Sequence, residues 1–263
     1  MNRFGEAKRV VIKIGTTTLT HGGGLLNYRR MEHLIKTIAD LKNSGKEIVL
    51  VSSGAIGVGM GELGMKVRPS DAPTRQACAA IGQCELMYRY DKLFAEYHHN
   101  VAQILLTGDD FNNETRHRNF TNTISRLLAL KALPIINEND TIATDEIKVG
   151  DNDTLSALVS VSISADLLIL LSDIDGLFTA DPHIDPNAEL IKEIHEIDSA
   201  VLALAGDTSS GLGTGGMRTK LSAAEICLNG GCDMIIANGA NPKILYDIIN
   251  NNNPICTRFI SNR

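Results

Sequence analysis

"DLLILLSD", residues 166–173, places five consecutive aliphatic side chains between polar ends. A strand with one wet face alternates apolar and polar residues. An unbroken apolar run this short fits a strand buried on both faces, as in a parallel sheet sandwiched between helices. The same character recurs in "KRVVIKIG" (8–15), "KEIVLVSSG" (46–54), "VAQILLTG" (101–108), "LPIINEND" (133–140) and "CDMIIANG" (232–239). Between the first two of these, "YRRMEHLIKTIADLKNSG" (28–45) sets Met31, Leu34, Ile35, Ile38 and Leu41 on one helical face and ends at Gly45. Helices are also predicted over 74–97, 113–131, 153–165, 217–230 and 241–250, so strand and helix alternate. The predicted fold class is α/β, with a mainly parallel central sheet and helices on both faces.

Bulk properties narrow the function. With 263 residues and 43% hydrophobic content, the chain can bury a full core, and no repeat or linker interrupts it, so a single domain over 1–263 is expected. A net charge of -6 argues against nucleic-acid or anionic-membrane partners, which need clustered Lys and Arg, and favours a small molecule. The five cysteines (Cys78, Cys84, Cys227, Cys232, Cys256) form no CxxC pair and suit reduced core thiols. No run reaches the roughly 18 apolar residues of a membrane span. A cytoplasmic protein is the expectation.

Ligands of open parallel sheets bind beyond the carboxyl ends of the strands, where this chain carries "GTTTLTHGGG", "SSGAIGVG", "NENDT", "SDIDG" and "NGAN". Lys13 interrupts an apolar strand near its end. Either it aims its ammonium at a phosphate or it snorkels to solvent. "GLGTGGMRTK" (211–220) suits phosphate chemistry, because close glycines expose backbone N–H groups and Lys220 adds a point charge; the bland alternative is a surface loop. Two GxGxxG matches, at Gly59, Gly61, Gly64 and at Gly211, Gly213, Gly216, lack the strand-to-helix context of a dinucleotide fingerprint. The histidines have no zinc spacing, and "SSG" is no nucleophile elbow. "INENDTIATDEIKVGDND" (136–153) gathers six carboxylates around one basic residue, Lys148. It could be a solvated loop, a metal cage or a pocket for a small charged substrate, although the calcium loop's ligand spacing is missing.

Taken in order, "VVIKIGTTTLT", "IVLVSSGAIGVG", "PIINENDTIATDEIKVGDNDTLSALVS", "LLILLSDIDGLFTADP" and "GLGTGGMRTK" resemble the glutamate 5-kinases of the amino acid kinase family, across essentially the whole chain. The resemblance implies ATP-dependent phosphorylation of the γ-carboxylate of L-glutamate, the first step of proline biosynthesis, with Mg²⁺ carried on ATP phosphates and no protein metal site. It implies catalytic Lys13, Lys220 and Asp153, the aspartate holding the lysines, and a glutamate pocket of Ser53, Asn137, Asp140 and Asn152. It implies an ATP site of Lys13, Ser172, Asp173, Thr214, Gly215, Gly216, Met217, Arg218, Thr219 and Lys220; the family commonly has threonine where this chain has Ser172. Asp140 and the Asn152 amide would grip the α-ammonium, Lys148 would temper the remaining charge, and Asp145 and Glu146 would face water. Proline as feedback inhibitor and a homo-oligomer, dimer or tetramer, are also implied. Many members carry a C-terminal PUA domain; this chain resembles the short form without it. The rival readings are another kinase of the family, acting on acetylglutamate, aspartate, carbamate or a nucleotide monophosphate, and a non-catalytic amino-acid sensor.

Overall fold

The protein is described here by a computed structural model covering residues 3–143, 152–182, 184–205 and 216–262. Its elements run α1 (Arg3–Glu6), β1 (Arg9–Ile14), α2 (Thr16–Leu19), α3 (Tyr28–Asn43), β2 (Glu47–Ser52), α4 (Ala55–Glu62), α5 (Ala72–Ala95), β3 (Val101–Leu106), α6 (Gly108–Asn112) and α7 (Glu114–Ala129). They continue with β4 (Leu133–Glu138), α8 (Asn152–Ser162), β5 (Leu167–Ser172), β6 (Glu193–Ile194), α9 (Ser199–Ala203), α10 (Met217–Asn229), β7 (Asp233–Asn238), α11 (Ile244–Asn250) and β8 (Cys256–Phe259). The eight strands form one sheet in the order β3-β4-β2-β1-β5-β7-β8-β6. The six apolar runs are parallel neighbours, but β3 lies at the sheet edge with only Leu106 buried, against the expectation of cover on both faces, because it has a strand partner on one side alone; β8 joins β7 antiparallel and carries β6 at the other edge.

Alternation along each strand divides the core into two layers. Val10, Ile12, Ile14, Leu167, Ile169 and Leu171 enter one cluster with Met31, Leu34, Ile35 and Ile38 of α3. Val11, Leu168 and Leu170 enter the other, with Leu155 and Val159 of α8 and Leu221 and Ala224 of α10. Successive side chains of a strand point to opposite faces, so Lys13, two residues past Val11, projects to the α8–α10 side. Buried Ser156, Ala157 and Ser160 of α8 and Ala223 and Ala224 of α10 are small enough to bring these helices close. The two serine hydroxyls donate back to the carbonyls of Asp153 (2.6 Å) and Ser156 (2.7 Å), so their burial leaves no donor stranded.

The short elements were not predicted. β8 is four residues long with Arg258 in the middle, and α4 carries three glycines, a poor helix signal. That α4 forms at all comes from tight packing on α5. A Cβ at Gly59 would lie 1.9 Å from the Cys78 carbonyl, and one at Gly82 would lie 1.8 Å from that of Ala55. The glycines of the first GxGxxG match therefore include a helix-packing position, not a nucleotide cradle. Gly54 adopts φ 102°, a left-handed turn that ends β2 and presents Ser53 at the strand's carboxyl end. Four cysteines are buried, but Cys84 on α5 is exposed, which departs from the expectation of core thiols.

Candidate active site

Starting from β1, the chain builds the sheet in one direction through β2 and β4, then begins again on the other side with β5 and β7. A crevice forms where the direction changes, at the carboxyl end of β1. Lys13 sits there, between Val51 of β2 and Leu170 of β5.

Three buried charges meet at this point. Lys13 Nζ lies 2.5 Å from Asp153 Oδ1, and Lys220 Nζ lies 3.1 Å from Asp153 Oδ2. Each lysine side chain is about a tenth exposed or less, and Asp153 is fully buried. Asp153 occupies the first turn of α8, where free backbone N–H groups and the helix dipole favour a carboxylate. Burial opposes ionisation of Asp153, but the Lys13 and Lys220 ammonium groups, through charge and hydrogen bonding, hold its carboxyl below the ordinary range. The Thr219 hydroxyl adds a further partner at 3.2 Å from Oδ2. Among the described residues, two cations share one anion in a dry setting, an arrangement suited to meeting a polyanion.

On the β2–β4 side, a network of amides and hydroxyls lines the crevice. The Asn152 side-chain N–H₂ reaches Ser53 Oγ at 2.8 Å, Asn137 Oδ1 at 3.0 Å and the Ser52 carbonyl at 3.2 Å. Asn137 in turn donates to Gln83 Oε1 at 2.9 Å, so α5 reaches into the site. The Asn152 side-chain oxygen is buried and has no hydrogen-bond partner among the described residues. Such an orphaned acceptor is costly unless a donor arrives. Asp140 follows β4, and burial pushes its carboxyl up to about 6, with the Arg68 charge pulling the other way.

On the β5–β7 side, the Ser172 hydroxyl closes β5 by donating to Asp173 at 3.1 Å, and Asn238 donates to Asp175 at 2.9 Å. Gly216 caps α10, whose first turn carries Met217, exposed Arg218, Thr219 and Lys220. Thr214, Gly215, Asp145, Glu146, Lys148 and Asp151 lie outside the described residues. Of the others, Lys13, Asp153, Thr219 and Lys220 form one bonded cluster, Ser53, Asn137 and Asn152 form another, Asp140, Ser172 and Asp173 lie at the carboxyl ends of β4 and β5, and Gly216, Met217 and Arg218 open α10. Gln83 was missed because it sits mid-helix, 54 positions from its partner, with no local motif to mark it.

Residues 8–238 match the model of the amino acid kinase family. Glutamate 5-kinase from Clostridium acetobutylicum is 52% identical over 245 residues, covering 93% of this chain and 92% of that one. Glutamate 5-kinase from Clostridium perfringens is 49% identical over 262 residues, covering 98% and 97%. Among solved structures, carbamate kinase from Giardia lamblia bound to AMP-PNP superposes with a TM-score of 0.67 at 16% identity, over 98% of this chain and 100% of that one. UMP kinase from Ureaplasma parvum gives 0.65 at 15% identity, over 97% and 100%. These two share the fold. With a family model covering most of the chain and near-full-length relatives at about half identity, this chain belongs to the amino acid kinase family, among its glutamate 5-kinases.

Proposed function

We propose that this protein transfers the γ-phosphoryl group of ATP to the γ-carboxylate of L-glutamate, forming γ-glutamyl phosphate for proline biosynthesis. The observation that carries this reading is the pair of buried lysines held on one buried aspartate, between an amide-rich pocket and a glycine-led helix start. A carboxylate is ionised at neutral pH, so the acceptor needs no general base. One of its oxygens bonds to the γ-phosphorus as the bond to the β-bridging oxygen breaks, and ADP leaves with that electron pair. The barrier is electrostatic, because an anion approaches an anion and charge moves to the leaving group. Lys13 and Lys220 offset that charge, Asp153 fixes where they point, and Thr219 steadies Asp153.

On the substrate side, Ser53, Asn137 and Asn152 form the pocket wall, and the orphaned Asn152 oxygen and Asp140 accept the α-ammonium. On the nucleotide side, Ser172, Asp173 and residues 214–220 take ATP. Mg²⁺ would be carried on the ATP phosphates, as the family likeness implies. When bound it would neutralise phosphate charge. The unpaired thiols fit action in the reducing cytoplasm, and no helix among the described residues is long and apolar enough to cross a membrane. We extend the proposal to a homo-oligomer inhibited by proline, on family likeness alone.

The test traps acyl phosphate with hydroxylamine, offering glutamate, aspartate and N-acetylglutamate in parallel. Hydroxamate from glutamate alone is expected; equal yield from either rival, or none from any, would reject the reading.

Two further outcomes follow from the pocket. Asp140 must be charged to hold an ammonium group, and its carboxyl titrates at about 6. Below that pH the protonated form accumulates, so KM for glutamate should rise about tenfold per pH unit as pH falls, with KM for ATP nearly level. A glutamate KM flat from pH 7.5 to 5 would remove Asp140 from the pocket. Gln83→Ala deletes one hydrogen bond to Asn137, worth about 1 kcal/mol, and should raise KM for glutamate roughly fivefold with kcat little changed. Unaltered KM would mean that Asn137 keeps its orientation without α5.

A further inference from the structure

Two hydroxyls are buried beneath the amide-rich pocket, and the chemistry described so far uses neither. Ile48 and Leu50 of β2 enter the same core layer as Tyr90 of α5, and strand alternation sends Ser52 the same way. There the Ser52 hydroxyl meets the Tyr90 hydroxyl at 2.9 Å, both side chains being buried. Phenylalanine would fill the space of Tyr90 beside Phe94 without bringing a hydroxyl into an apolar layer, and such a group is costly there unless bonded. The Ser52 hydroxyl also lies 3.2 Å from the Ser53 carbonyl, which can only accept. The single Ser52 proton therefore goes to that carbonyl, and Tyr90 donates to Ser52. Burial pushes the Tyr90 hydroxyl up to about 12, so it stays a donor at neutral pH.

This relay ends on the residues that hold Asn152. The Asn152 N–H₂ has three acceptors, namely Ser53 Oγ, Asn137 Oδ1 and the Ser52 carbonyl. All three belong to residues tied to α5, Asn137 through Gln83, and Ser52 and Ser53 through Tyr90. Gln83 and Tyr90 lie two helical turns apart, so both fall on one side of α5. With its nitrogen enclosed by acceptors, the Asn152 amide cannot flip without losing them. Its buried, unpartnered Oδ1 is thereby reserved for an incoming donor.

We propose that Tyr90 is a positioning residue for recognition of the amino-acid substrate: through Ser52 it sets the Ser52–Ser53 backbone, and through that backbone the Asn152 amide that offers Oδ1 to the α-ammonium. The inference deepens the glutamate reading given above and rests on it. Tyr90 touches no substrate. Its hydroxyl acts through two bonds on the group that does, so its loss falls on the ammonium end of the ligand and spares the carboxylates and the nucleotide.

The test compares glutamate with glutarate, the same dicarboxylate without the α-ammonium, by titration calorimetry in the presence of a non-hydrolysable ATP analogue. Tyr90→Phe keeps the ring and removes only the donor. It should weaken glutamate binding about fivefold, the typical worth of one hydrogen bond, and leave glutarate binding nearly unchanged. KM for glutamate should rise by the same factor, with KM for ATP and kcat little altered. Ser52→Ala breaks the same relay, so it should reproduce this pattern, and the double variant should be no worse than either single change. Ser52→Ala decides the matter if Tyr90→Phe does not fold. A general loosening of the core would weaken both ligands alike. Equal loss of glutamate and glutarate, or full glutamate affinity in folded Tyr90→Phe, would overturn the inference and leave the kinase reading standing. A wild-type protein that binds no glutamate would overturn both.

Discussion

Asp153→Ala should abolish measurable phosphoryl transfer and lower the stability of the protein in the absence of ATP by about 3 kcal/mol, a fall of ~6 °C or more in Tm. Both effects have one origin. The wild-type carboxylate neutralises part of the charge of two buried ammonium groups at 2.5 and 3.1 Å, and alanine leaves both cations in a dry site facing each other. They would move apart or draw in water, which removes the geometry that transfer needs. An anion can stand in for the carboxylate in the stability arm. Millimolar pyrophosphate should therefore raise the Tm of Asp153→Ala more than that of wild type, because binding to the folded state alone stabilises it. Equal increments, or a variant as stable as wild type, would show that Asp153 does not hold the lysines.

Lys220→Ala should behave differently, losing rate with less damage to the fold. Asp153 keeps Lys13 as its partner at 2.5 Å, so removing Lys220 leaves a balanced pair, not an orphaned charge. Its cost falls on the transition state, where a preorganised positive charge is worth about 3 kcal/mol, or roughly a hundredfold in kcat. The measurement is kcat at saturating ATP and glutamate, alongside a melting curve. Near-normal turnover by a folded Lys220→Ala protein would reject the role given to Lys220.

The central strands were legible because burial on both sides leaves an apolar run, and "DLLILLSD" became a strand with every residue from Leu167 to Ser172 buried; β3 reads the same in sequence yet lies at the edge with only Leu106 buried. Lys13 was legible for the opposite reason, as a charge where burial demands a partner. The identity of that partner was not. Asp153 lies 140 positions from Lys13 and reaches it through the packing of α8 on β1, which no spacing rule encodes; only family likeness named it. Gln83 had no local signal, since a mid-helix glutamine looks the same whether it meets water or Asn137. The short strands β6 and β8 escaped for a different reason. They are two and four residues long and owe their form to pairing with β7 and with each other. Cys84 broke the expectation for cysteines because it lies on the side of α5 away from Cys78, Gly82 and Leu86, and composition does not say which side of a helix faces the core.

A crystal structure with a non-hydrolysable ATP analogue and glutamate addresses the central claim most directly. The account predicts that Nζ of both Lys13 and Lys220 comes within about 3 Å of phosphate oxygens around the β–γ bridge, each still bonded to Asp153, with a γ-carboxylate oxygen of glutamate in line with that bridge. A γ-phosphate bound well away from either ammonium, with glutamate outside the pocket of Ser53, Asn137 and Asn152, would contradict it.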